Sequence, residues 1–131
     1  MLKGFDVEID LRVKSSKIYL GHDYCKFRIN EKFLTNYNKK LWIHAKNTEA
    51  LVFLKNHSAR YNFFWHQEDL FTITSKGYVW THYKSIKSLV RKNKILNKTI
   101  CTLPEIYQIN KNKLNIFYGI CSDYILFYKK Y

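Results

Sequence analysis

A mainly parallel α/β sheet is the architecture this sequence predicts, and three observations predict it. Strand-like alternation recurs along the whole chain, a helix-spaced stretch falls between two of the alternating segments, and strand, helix, strand is the order that parallel crossovers require. The 131 residues, 47% of them hydrophobic, suffice for one packed core, so a single domain spanning residues 1–131 is expected.

The first element runs from Gly4 to Val13, where Phe5, Val7, Ile9, Leu11 and Val13 alternate with Asp6, Glu8, Asp10 and Arg12. A short strand from Ile18 to Leu20 ends at Gly21, and Leu41 to Ala45 is a third. After Asn47-Thr48-Glu49 the apolar positions change to Ala50, Leu51, Phe53 and Leu54, which predicts a helix to about His57 with Asn47 or Thr48 as its cap. Asn62 to His66, Leu70 to Thr74 and Tyr78 to Trp80 read as strands, with Lys76-Gly77 as a turn. From Lys84 to Lys98 there are six basic residues and no acidic one, which predicts a solvated helix and loop. Thr99 to Thr102 and Gly119 to Ser122 are the last strands, a short helix starts at Pro104-Glu105, and the aromatic tail Tyr124 to Tyr131 closes the core.

With 4 Gly and 1 Pro the composition excludes collagen-like and linker-type chains. No stretch approaches the roughly 18 apolar residues of a membrane span, and Met1 to Asp10 lacks the apolar core of a signal peptide, so a soluble, cytoplasmic chain is expected. Cys25, Cys101 and Cys121 are odd in number and far apart, which predicts reduced, structural thiols. The net charge of +13 invites a phosphate-bearing partner or an anionic surface. Against nucleic acid, 19 of the 23 basic residues are Lys, and Arg, the usual residue for bidentate phosphate and base contacts, is scarce.

Asp6, Glu8 and Asp10 share one strand face at spacings of about 7 Å, close enough that their charges repel unless a cation or several donors sit among them. Glu8 and Asp10 fit a metal pair, although the same spacing is that of an ordinary solvent-facing strand. His22-Asp23 follows the next strand just past Gly21, where an α/β fold places functional loops, so His22 is a candidate general acid or base. His44 and Lys46 lie on one face at a strand's C-terminal end, as a metal ligand beside a phosphate-binding lysine would. His66 ends an aromatic strand and Asp123 ends an apolar one; both are candidate substrate contacts, and Asp123 reads equally well as a turn cap.

In this order the motifs resemble the glycerophosphodiester phosphodiesterases. Gly4-Phe5-Asp6-Val7-Glu8-Ile9-Asp10 followed by Gly21-His22-Asp23 is similar to their Glu-x-Asp strand and His-Asp loop. Trp42-Ile43-His44-Ala45-Lys46-Asn47, Phe63-Phe64-Trp65-His66-Gln67, Leu103-Pro104-Glu105 and Gly119-Ile120-Cys121-Ser122-Asp123 resemble a short bacterial branch of that family, so the likeness covers nearly the whole chain. It implies a barrel related to phosphatidylinositol-specific phospholipase C, acting on a small phosphodiester with one divalent cation, Mg, Ca, Mn or Zn. Glu8 and Asp10 match two metal ligands, His22 matches one of two catalytic histidines, and Lys46 matches a phosphate contact. The family's third carboxylate ligand falls at His44, and imidazole suits Zn or Mn better than Mg or Ca.

Family members open on a strand ending in His-Arg-Gly, followed by a helix, whereas this chain begins almost at the Glu-x-Asp strand. The resemblance therefore implies an incomplete (β/α)8 TIM-type barrel with the N-terminal βα unit missing, weak or inactive unless an upstream segment or another chain completes it. His66 and His82 are the candidates to stand in for the absent one. A second reading is a non-catalytic basic module that binds nucleic acid or an anionic surface through Lys84, Lys87, Arg91, Lys92, Lys94 and Lys98.

Overall fold

In the computed structural model, which describes residues 4–92 and 94–129, the alternating N-terminal segment is strand β1 (Val7–Lys14). It turns through Ser15 and Ser16, with φ of 48° and 58°, into the antiparallel β2 (Lys17–Leu20). Two consecutive left-handed residues are what a two-residue hairpin needs to follow the strand twist. The chain adds β3 (Phe27–Ile29) antiparallel to β2, then α1 (Glu31–Tyr37), whose first turn is capped by Asn30. Strand β4 (Leu41–Ala45) returns parallel to β1, α2 (Thr48–Asn56) crosses back, and β5 (Asn62–Trp65) lies parallel to β4.

This first unit is a five-stranded sheet in the order β3-β2-β1-β4-β5. Leu11, Ile43 and Ala45 on its apolar face pack with Leu34 of α1 and Ala50 and Leu54 of α2, all essentially sealed from solvent. Burial of a Leu side chain at such a place is worth about 2 kcal/mol. Asn47 ties helix to sheet. Its Oδ1 accepts from the amides of Ala50 at 3.2 Å and Val13 at 3.1 Å, and its Nδ2 donates to the Val13 carbonyl at 2.7 Å. Asn47→Ala is therefore expected to cost about 2–3 kcal/mol, a cap plus two further hydrogen bonds, with Asn47→Asp falling between. Urea denaturation checks this, the midpoint moving at unchanged slope.

The second unit is a four-stranded sheet, with β6 (Phe71–Ile73) antiparallel to β7 (Val79–Thr81), and β8 (Leu96–Thr102) and β9 (Phe117–Cys121) following in parallel. Helix α3 (Ile86–Lys92) precedes β8, and α4 (Ile125–Tyr128) follows β9. Ile86, Cys101, Leu114 and Phe117 form the core of this unit. Residues 130 and 131 of the aromatic tail lie outside the described residues.

The barrel expectation is corrected by this topology. The described residues form one five-stranded and one four-stranded mixed sheet, with no closed barrel, so an incomplete (β/α)8 TIM-type barrel does not describe them. Each sheet has a run of three parallel strands, and both end in antiparallel strands: β2 and β3 beside β1, and β6 beside β7. A (β/α)8 wall needs every strand parallel to both neighbours, so a hairpin partner on β1 breaks its repeat. Among the described residues no helix is long and apolar enough to cross a membrane.

Candidate metal centre

Strand alternation builds the site. On β1 and β4 the residues Ile9, Leu11, Ile43 and Ala45 face the helices, which leaves Glu8, Asp10 and Arg12, with Trp42, His44 and Lys46, on the opposite face. The parallel register sets Asp10 beside His44. It also sets Phe64 of β5 on the other side of His44, where the two rings stack at 4.8 Å between centroids. Glu8, Asp10 and His44 each bring one possible ligand atom into a group whose members all lie within 4.8 Å of one another.

The orientation of the His44 ring is the informative detail. Its Nε2 stands 2.8 Å from the backbone carbonyl of His66, and since a carbonyl only accepts, Nε2 carries the hydrogen. In the neutral ring Nδ1 is then a bare lone pair, aimed at Asp10 Oδ1 at 3.3 Å and Glu8 Oε1 at 3.8 Å. A lone pair facing two ionised carboxylates is repulsive until a proton, on the ring or on one of the acids, or a metal ion comes between them.

Electrostatics of the two acids differ. Burial, reinforced by the charge of Asp10 and only partly offset by Lys46, pushes the Glu8 carboxyl up to about 8. Asp10 also suffers burial, but a hydrogen bond from His44 and the positive charges of Lys46, His44 and His22 outweigh it and hold its carboxyl below the usual range. The His44 bond exists only while Nδ1 is protonated. One acid of the pair is thus stabilised as an anion and the other is driven to take up a proton or a cation.

Beside the acids, β2 ends at Gly21, whose amide donates to the Asp10 carbonyl at 3.0 Å. Arg12 fixes the next two residues, its Nε donating to the Gly21 carbonyl at 3.2 Å and its Nη2 to the His22 carbonyl at 2.6 Å. The His22 ring sits between Asp23 and Lys46: Nδ1 is 2.8 Å from Asp23 Oδ1, and Lys46 Nζ donates to Nε2 at 3.3 Å. Lys46 Nζ also lies 3.8 Å from Asp10 Oδ1. An unbroken line of polar groups therefore runs Asp23, His22, Lys46, Asp10, His44.

Of the residues singled out from sequence, Glu8, Asp10, His44, Lys46 and His22 come together here. His66 is buried, holds His44 through its carbonyl, and sets its ring edge-on to His44 at 6.3 Å. Asp123 belongs to the second unit, where its amide donates to Glu105 Oε1 at 3.0 Å in the turn before α4. His82, in the same unit, accepts from the Lys84 amide at the start of a 3-10 turn. Burial pushes the Cys101 thiol up to about 12, as suits a structural cysteine. In the basic run, Lys87 and Lys98 lie over the rings of Tyr107 and Tyr78 at 4.2 and 5.7 Å.

Sequence reasoning did not single out Arg12 or Phe64 as parts of the site. Both had a legible signal, since Arg12 follows Asp10 at the strand period of two and Phe64 precedes His66 by the same step. No family model matches the chain, and neither a curated protein nor a solved structure matches it.

Proposed function

We propose that the first unit is a divalent-cation-dependent phosphodiester hydrolase of the glycerophosphodiester type, with slow turnover. The observation that carries this reading is the convergence of one ring nitrogen and two carboxyl groups: with Nε2 on the His66 carbonyl, His44 Nδ1 lies 3.3 Å from Asp10 Oδ1 and 3.8 Å from Glu8 Oε1. Glu8, Asp10 and His44 would hold the cation, which supplies Lewis-acid polarisation of a phosphoryl oxygen when bound.

The remaining roles fall to side chains around it. Lys46 offers an ammonium to a second phosphoryl oxygen, and an arriving phosphate competes with His22 Nε2 for that ammonium. Asp23 keeps the proton of His22 on Nδ1, so Nε2, once released by Lys46, is free to accept or return a proton at the alcohol oxygen. One histidine so placed serves one of the two proton transfers, from the attacking oxygen and to the leaving oxygen, that phosphodiester cleavage requires, which is why slow turnover is expected.

The test is hydrolysis of glycerophosphocholine and of a chromogenic phosphodiester by chelator-stripped protein, before and after return of Mg, Ca, Mn or Zn. Cation-dependent hydrolysis that falls at least about 100-fold in His22→Ala is expected, the upper part of the range for one proton-transfer group. A rate indifferent to the chelator, or retained in Glu8→Ala plus Asp10→Ala, would sink the reading.

A further inference from the structure

We infer that the Glu8, Asp10 and His44 centre selects first-row transition cations such as zinc and cobalt over magnesium and calcium, and that the backbone carbonyl of His66 sets this preference by fixing His44 as an Nδ1 donor. The inference rests on the cation reading above and adds to it the class of cation. Three features of the site carry it.

First, the donor atom is set in advance. With Nε2 bound to the His66 carbonyl at 2.8 Å, which requires the Nε2–H tautomer of a neutral ring, and the ring stacked on Phe64 at 4.8 Å, Nδ1 is turned toward the two acids. An imidazole whose far nitrogen donates to a carbonyl is the arrangement that raises ligand basicity and fixes ring orientation. Second, the separation suits short bonds. Two ligand atoms at about 2.1 Å from one cation stand roughly 3.0–3.4 Å apart in octahedral or tetrahedral geometry. Nδ1 and Asp10 Oδ1 are 3.3 Å apart, and Glu8 Oε1 lies 3.8 Å from Nδ1, in a group whose ligand atoms are all within 4.8 Å of one another.

Third, charge alone offers a hard cation little. Magnesium and calcium are held by oxygen ligands, calcium by six to eight of them. Here the two acids share their field with the Lys46 ammonium, 3.8 Å from Asp10, so even with both acids ionised the three groups carry a single negative charge. What remains is a nitrogen donor, and its contribution rises along the first-row series and is small for the alkaline earths.

The experiment titrates chelator-stripped full chain with Zn, Co, Mn, Mg and Ca by calorimetry, and follows Co through its visible absorption. Zn and Co are expected to bind on the order of 100-fold more tightly than Mg and Ca, with the ratio collapsing in His44→Glu, which exchanges the nitrogen donor for an oxygen donor. Nitrogen chemical shifts of His44 in the unaltered chain give a second readout that needs no variant: Zn should perturb Nδ1 while Nε2 stays protonated.

Equal affinity for Zn and Mg, a ratio unchanged in His44→Glu, or ligation through Nε2 would each overturn the inference while leaving a cation-dependent hydrolase standing. Failure to bind any of the five cations would overturn it together with the proposed function.

Discussion

Glu8→Gln is expected to abolish cation binding and, in the same protein, to stabilise the cation-free chain increasingly above about pH 5, with the full gain reached by about pH 8. Both effects come from one carboxyl, pushed up from 4.5 to about 8 by burial and by Asp10. Because its folded value lies above its unfolded one, the stability tied to its protonated form is complete below about 4.5 and is lost as the pH rises through about 8. Gln is neutral at every pH and escapes that loss. The full displacement is worth at most about 5 kcal/mol, and with 27% of the Glu8 side chain open to solvent a gain of about 2 kcal/mol at pH 9 is expected.

Denaturant unfolding of both proteins at pH 5 and pH 9 checks this: the curves should nearly coincide at the lower pH and separate at the higher. A cation reverses the order, since binding at neutral pH displaces about one proton from Glu8 in the parent chain and nothing equivalent in the variant. Calorimetry in buffers of different ionisation enthalpy reads that proton directly. Curves that cross in the opposite sense would mean that Glu8 is ionised and well solvated in the folded chain.

Gly21→Ala is expected to be the most damaging single methyl addition in the first unit. Gly21 has φ of +151°, where an L side chain is strained, and a Cβ built there would stand 2.1 Å from the Tyr24 carbonyl oxygen and 3.1 Å from Lys26. The nearest obstacle is backbone, so the loop must move. A loss of about 3 kcal/mol is expected, together with release of the Gly21 amide from Asp10 and displacement of His22. In hydrolysis, kcat of Gly21→Ala should fall as it does in His22→Ala, while cation affinity, which depends on β1 and β4, stays within about threefold of the parent. A parent-like thermal midpoint would contradict the loop geometry.

How much was legible from sequence depended on repeat length. Strand β4 coincides with its predicted span, and β1 and α2 were found within a few residues, because each carries several periods of its pattern and α2 also carries the Asn47 cap. Strand β3 and helix α1 went unread. Phe27–Ile29 is three residues, and Glu31–Tyr37 completes fewer than two turns, so neither establishes a period; the Asn30 cap was their one local sign. The barrel expectation came from the resemblance. The hairpin that opposes it rests on Ser15 and Ser16 adopting left-handed backbone, for which serine is a poor marker.

For the site, the strand period pairs Glu8 with Asp10 and His44 with Lys46, the position of Gly21 points to His22, and the resemblance joins them; the register that sets Asp10 beside His44 is visible only in the fold. What sequence could not supply is how they are aimed. His44 is oriented by the carbonyl of His66, and His22 is placed by Arg12 through the carbonyls of Gly21 and His22. Backbone carbonyls are common to every residue, so these determinants leave no trace in composition or spacing.

Strand β1 lies between β2 and β4, with its acids and arginine on one face and its aliphatic side chains on the other. A slip of one residue against β4 would put Glu8 and Asp10 into the apolar layer and Ile9 and Leu11 in their place. Register errors are thereby penalised twice, and the centre can be dismantled only by opening the interior of its own sheet. Amide exchange at Ile9 and Leu11 should accordingly proceed with the global unfolding of this unit, so that an intact ligand set and a folded first unit become the same measurable quantity.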